Sequence, residues 1–132
     1  SIFDDTYNAN PDSVRAAIGV VADVPALNGS SRTVVLGMMG ELGRFAEEMH
    51  LQIGEHAARN QWQVISVGVE AARIAEGAKR AGGSVVEHFD RYEDAVNWLK
   101  GTLRPGDTVL FKGSRKAAVE RVMNAVFPPT TN

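Results

Sequence analysis

No cysteine occurs among the 132 residues. Disulfide scaffolds, thiolate-bound zinc, iron–sulfur clusters and cysteine nucleophiles are excluded together. Neither sign of charge is in large excess. Fourteen Lys and Arg face sixteen Asp and Glu, for a formal net charge of −2, so a strongly electropositive nucleic-acid binder is not expected. Apolar runs fall far short of the ~20 residues that a membrane span needs. No signal-peptide pattern is visible, and a cytoplasmic location is the expectation. Signature motifs are missing too: no H-E-x-x-H, no G-x-G-x-x-G and no G-x-x-x-x-G-K-[ST] phosphate loop. The chain opens at Ser1-Ile2-Phe3-Asp4-Asp5, without Met and already inside a strand-like run, and reads as a cut from a longer protein.

What is present is an alternation of short β-rich runs with longer helical periods. Ile2-Phe3 ends a strand. Asn10 caps a helix that starts at Pro11, with Val14, Ala17, Ile18 and Val21 on one face. Thr33–Leu36, Trp62–Val67, Val85–Phe89 and Thr108–Phe111 read as strands. Between them, Leu42, Phe45, Met49, Ile53 and Ala57 form one apolar helix stripe, Glu70–Ala81 is a helix closed by Gly82-Gly83, and Asp90 with Glu93 has capping-box spacing. Arg104-Pro105-Gly106-Asp107 is a turn, Val119, Val122, Met123 and Val126 face inward from a last helix, and a tail follows from Pro128. Five β-α units in one domain of 132 residues imply an α/β fold. The expected form is a doubly wound, mostly parallel sheet of five to six strands with helices on both faces. Ligands bind such sheets at the carboxyl ends of the strands.

Three segments at those ends can carry chemistry. Asp4-Asp5-Thr6-Tyr7-Asn8-Ala9-Asn10 places two carboxylates where they can hold a ribose hydroxyl pair or a divalent ion, or serve only as a strand-end turn with Asn10 as cap. In Lys112-Gly113-Ser114-Arg115-Lys116, Gly113 allows close approach and Ser114 can cap the next helix. The cations there suit a carboxylate or phosphate, with Lys112 placed at a surface loop end. Gly37-Met38-Met39-Gly40-Glu41-Leu42-Gly43 is a glycine-rich packing loop in which Glu41 is a polar contact or a helix-start carboxylate. His50 and His56 fall on different helix faces, which argues against a metal pair, and His50 reads as a helix-face residue. Trp62 and Trp98 read as core or interface aromatics, and Met38 and Met39 as packing residues.

These residues resemble those of the Mur ligase family. Asp4-Asp5-Thr6-Tyr7-Asn8-Ala9-Asn10-Pro11 is similar to the family motif D-D-[ST]-Y-N-A-N-P. Val35 to Gly43, followed by His50 and Ile53-Gly54, is similar to L-G-D-M-x-E-L-G, and Val109 to Arg115 to V-L-[VF]-K-G-S-R. Where the family usually shows Asp, this chain has Met38. The resemblance covers essentially residues 1 to 132. It is most specific to the family member that joins D-alanyl-D-alanine to UDP-N-acetylmuramoyl-tripeptide. It implies a Rossmann-like C-terminal domain of a three-domain, ATP- and Mg²⁺-dependent ligase of peptidoglycan synthesis, inactive alone and closing on a central ATPase domain. It implies further that Asp5, Tyr7, Asn8 and Asn10 face ATP and its ribose, and that Lys112, Ser114 and Arg115 bind the dipeptide. Asp4, Glu41 and His50 are further candidates without an assigned role.

Other readings compete. A phosphoacceptor signalling domain shares the five units, an acidic pair and a late lysine, but Val67-Gly68 stands where it needs an aspartate. A folate-extending amide ligase shares the fold, and a plain dinucleotide module lacks its glycine fingerprint here.

Overall fold

Val34-Val35-Leu36 and Val109-Leu110-Phe111 are apolar at every position, as strands covered on both faces require. The computed structural model describes residues 2–5, 10–22, 31–40, 42–114 and 117–129, with backbone alone at 3–5 and 20–22. The strands are β1 (Ile2–Asp5), β2 (Arg32–Leu36), β3 (Gln63–Val67), β4 (Val86–Phe89) and β5 (Thr108–Lys112). The helices are α1 (Pro11–Ala22), α2 (Ala46–Arg59), α3 (Ala72–Arg80), α4 (Tyr92–Thr102) and α5 (Val119–Val126).

The sheet runs β1-β5-β2-β3-β4, and every pairing is parallel. Strands β2, β3 and β5 supply the buried core side chains of the sheet, β4 adds the partly buried Val86 and Phe89, and β1 joins the edge by pairing with β5. Side chains alternate between the two faces. Val34, Leu36, Val64 and Leu110 meet Val14 and Ile18 of α1, Ile53 and Ala57 of α2, and Ile74 and Ala78 of α3. Val35, Ile65, Val67, Val109 and Phe111 meet Ala95, Val96 and Leu99 of α4 and Val119 and Val122 of α5. The chain steps one way across the sheet through α1, α2 and α3 and steps back through α4. One handedness of crossover therefore places α4 on the opposite face. The doubly wound parallel α/β architecture is present, with helices on both faces.

Local chemistry explains the element ends. Asn10 and Ser13 cap α1 reciprocally: Ser13 N–H donates to Asn10 Oδ1 at 2.9 Å and Asn10 N–H to Ser13 Oγ at 3.1 Å. After α3, Gly82 takes φ +81°, Gly82 N–H donates to the Lys79 carbonyl and Gly83 N–H to that of Ala78, which closes the helix as expected. The turn before β5 has Pro105 followed by Gly106 at φ +95°, and the Asp107 carboxylate ties the Arg104 and Ser31 N–H groups.

Three expectations are corrected. Phe45 does not join the α2 stripe. It ends a 3₁₀ turn over Gly43–Phe45 and is 51% exposed beneath the Arg44 guanidinium. The buried face of α2 is instead His50, Ile53, Gly54 and Ala57. The helix expected from Glu70 opens as a 3₁₀ turn over Val69–Ala71 before α3. Asp90 does not cap α4. Arg91 precedes that helix without a side-chain cap, because the Asp90 carboxylate is taken by His88 Nε2 at 2.8 Å.

Candidate functional site

Strands β2 and β5 lie side by side, yet the chain leaves β2 toward α2 on one face and β5 toward α5 on the other. This divergence at the carboxyl ends is where open α/β sheets form a ligand crevice. The two exits stay joined beyond the strands. Gly37 N–H donates to the Lys112 carbonyl at 3.0 Å and Ser114 N–H to the Met38 carbonyl at 2.9 Å. Two glycines make this approach possible. A Cβ on Gly113 would stand 3.2 Å from Gly37 Cα and 2.7 Å from Val119 Cγ2, and one on Gly37 would stand 2.5 Å from that same Cγ2.

Lys112 is corrected from a surface loop end to the last residue of β5, 1% exposed. It lies two residues beyond Leu110, so the strand period turns it toward the α1–α3 face. A buried ammonium is tolerated only where polar or charged groups satisfy it. The backbone register sets Asp5 of β1 and Leu36 of β2 on either side of it, and Asp4 opposite Phe111.

Ser114 is corrected as well. It does not cap α5, which starts at Val119 behind Ala118 in the left-handed region at φ +59°. The Ser114 hydroxyl oxygen is buried and has no hydrogen-bond partner among the described residues. A buried orphan hydroxyl costs about 1–3 kcal/mol, and a ligand oxygen or amine in the crevice would relieve it.

The remaining candidates divide. Asn10 is exposed and its side-chain oxygen holds the α1 cap. Tyr7, Asn8, Glu41, Arg115 and Lys116 lie outside the described residues. His50 is 3% exposed. Its Nε2 accepts from Met39 N–H at 2.9 Å, and its Nδ1 lies 2.5 Å from the Ala46 carbonyl. One partner can only donate and the other only accept, which sets the proton on Nδ1. Met39 is buried in the α1–α3 side of the core, and Met38 is half-buried.

One polar chain escaped sequence reasoning. Ser66 Oγ lies 2.7 Å from His88 Nδ1, and His88 Nε2 lies 2.8 Å from Asp90 Oδ1. Ser66 is fully buried, so the chain fastens edge strand β4 to β3 and presents no nucleophile. Only the β3–β4 register, which sets Ser66 beside His88, would have revealed it.

Comparison with known proteins adds to this geometry. The family model for the Mur ligase, glutamate ligase domain, matches residues 1–115. The chain is 38% identical over 128 residues to the UDP-N-acetylmuramoyl-tripeptide–D-alanyl-D-alanine ligase of Escherichia coli K12, covering 95% of this chain and 26% of that protein. The same-named ligase of Treponema pallidum is 39% identical over 123 residues, with 89% and 26% covered. Among solved structures, MurF of Acinetobacter baumannii superposes with a TM-score of 0.81 at 32% identity. MurF ligase of Thermotoga maritima, in complex with ADP, superposes at 0.78 and 30%. Each covers 95% of this chain, which is 27% of the solved chain. The chain thus spans about a quarter of the length of the relatives it matches. With glycine-joined strand exits at the crevice and a family match over residues 1–115, this chain belongs to the Mur ligase family, as its glutamate ligase domain.

Proposed function

We propose that this chain is the C-terminal, substrate-delivering domain of a three-domain ATP-dependent ligase that adds D-alanyl-D-alanine to UDP-N-acetylmuramoyl-tripeptide in peptidoglycan precursor synthesis. The observation that carries the reading is the joined exits of β2 and β5, where a buried lysine stands two residues from a buried hydroxyl without a partner among the described residues. Lys112 offers charge to the dipeptide carboxylate and Ser114 offers a donor and an acceptor beside it, with Arg115 adding a second cation. On the nucleotide side, Asp5, Tyr7, Asn8 and Asn10 are assigned to ATP and its ribose by their match to the family motif, with Asn10 also capping α1.

In this reading a carboxylate oxygen of the tripeptide takes the terminal phosphoryl group of ATP and ADP leaves. The dipeptide amine attacks the acyl carbon, gives up a proton, and phosphate departs as the amide forms. The described residues hold no cluster of three His, Asp or Glu suited to a metal ion. Mg²⁺ and the triphosphate are left to the central ATPase domain outside this chain. The work of the present residues is to hold the amine near the acyl phosphate and to exclude water when the domains close.

The test is phosphate release by the full-length protein. Release that requires both UDP-N-acetylmuramoyl-tripeptide and D-alanyl-D-alanine, and that is lost in Lys112→Met, supports the assignment. Release stimulated instead by glutamate with a folate would move the protein to a sister ligase.

A further inference from the structure

The Met38–Met39 peptide unit is gripped from both ends. Its N–H, on Met39, donates to His50 Nε2 at 2.9 Å. Its carbonyl, on Met38, accepts from Ser114 N–H at 2.9 Å. In a trans peptide these two groups point in opposite directions, so fixing one fixes the other. The imidazole is itself oriented from below, through Nδ1 and the Ala46 carbonyl at the start of α2. His50 is 3% exposed and Met39 is buried, so water does not compete for the acceptor.

We infer that His50 is a positioning residue for the dipeptide side of the crevice, acting through the Met38–Met39 peptide plane on Ser114. This rests on the ligase reading given above. Without the Nε2 acceptor, Met39 N–H is buried and unpaired. The plane then gains by rotating, which withdraws the Met38 carbonyl from Ser114 and loosens the segment that carries Lys112 and the Ser114 hydroxyl. The Met38 side chain takes no part, since the plane is gripped through its own N–H and carbonyl, by His50 Nε2 and Ser114 N–H. The imidazole itself touches no substrate: its two nitrogens are spent on Met39 and Ala46.

The experiment uses the full-length ligase with His50→Phe, His50→Gln and His50→Asn. Phe keeps a ring without an acceptor. The Gln amide oxygen reaches the place of Nε2, whereas that of Asn reaches the place of Nδ1. The loss of one buried hydrogen bond corresponds to about a tenfold effect. The expected result is a rise of about tenfold in KM for D-alanyl-D-alanine in the Phe and Asn variants, with KM for ATP within about twofold of wild type and recovery in the Gln variant. Deuterium exchange on the same proteins should show faster exchange in both 37–39 and 112–114 for Phe, restored by Gln. An unchanged dipeptide KM in the Phe variant overturns the inference. So does equal rescue by Asn and Gln, or loss of protection at 37–39 that leaves 112–114 unaffected. If the wild-type enzyme shows no dipeptide dependence, the ligase reading falls, and the exchange result alone decides whether His50 governs the 112–114 segment.

Discussion

Gly54 on α2 and Gly77 on α3 face each other's backbones. A Cβ placed on Gly54 would stand 2.8 Å from the Ile74 carbonyl carbon and 2.9 Å from Ala78 N, on top of α3's own hydrogen bond. A Cβ on Gly77 would stand 2.8 Å from the Leu51 carbonyl carbon and 3.0 Å from Leu51 Cα. Neither contact is with a side chain that can swing away. Favourable carbon contacts lie at about 3.5–4.0 Å, so Gly54→Ala obliges the two helices to part by roughly 1 Å. Ile53, Ala57, Ile74 and Ala78 then lose packing together. Overpacking costs about 1–3 kcal/mol, occasionally more, and a rigid backbone obstacle puts this case at the upper end. The better helix propensity of Ala returns about 1 kcal/mol. The net loss is about 2 kcal/mol, a fall of about 7 °C in Tm at this chain length. Gly77→Ala should behave alike, and the double variant should fall short of the sum, because one separation of the helices serves both. A methyl group added to Gly19, within α1, would meet nothing within 4 Å among the described residues, so Gly19→Ala should raise stability by about 0.5–1 kcal/mol. Urea and thermal melts of the four variants check the set. If Gly54→Ala melts at or above Gly19→Ala, the close backbone crossing of α2 and α3 is wrong.

Asn10→Ala removes the reciprocal cap of α1 and should lower stability by about 1 kcal/mol in urea titration. Ala118 occupies a left-handed conformation, and Ala118→Gly should raise stability by about 0.5–1 kcal/mol, whereas a β-branched residue there should lower it. Glu76 is held below the ordinary carboxylate range by its hydrogen bond from Arg73 and the charge of that group. A lowered folded-state value means the pair stabilises above the ordinary glutamate value of 4.5 and that its contribution disappears as pH falls through the folded value. The stability difference between wild type and Glu76→Gln should therefore be present near pH 7, disappear as pH falls below the folded-state value of Glu76, and shrink at about 1 M salt. A difference that persists in acid would assign the effect to something other than the ion pair.

The parallel architecture was readable because a strand covered on both faces leaves a continuous apolar run, as at Val34–Leu36 and Val109–Phe111. The crevice segments were readable because glycines and polar residues follow those runs directly. The strand order was not, since hydrophobic period says which face is buried and nothing about which strand is the neighbour. Phe45 failed for a reason of phase. The 3₁₀ turn before α2 advances about 120° per residue instead of about 100°, so extending the α2 stripe backward misplaces it. Asp90 failed because its competitor for the cap, His88, becomes adjacent only across the end of a strand. The burial of Lys112 was hidden by its neighbours: Lys112-Gly113-Ser114-Arg115 has the composition of a loop, yet the β5 ladder carries on through the lysine.

The strand order also governs when the molecule can be completed. Among the described residues β1 pairs with β5 alone, Ile2 with Val109 and Asp5 with Lys112, so β1 waits for β5. On a growing chain, β2, β3 and β4 with α2 and α3 can assemble from neighbours in sequence, whereas β5 must be inserted between β1 and β2 after those elements are made. The joined exits are built from that strand and from the glycine loop it meets. A chain that lacks β5 therefore holds a sheet with an open slot between β1 and β2.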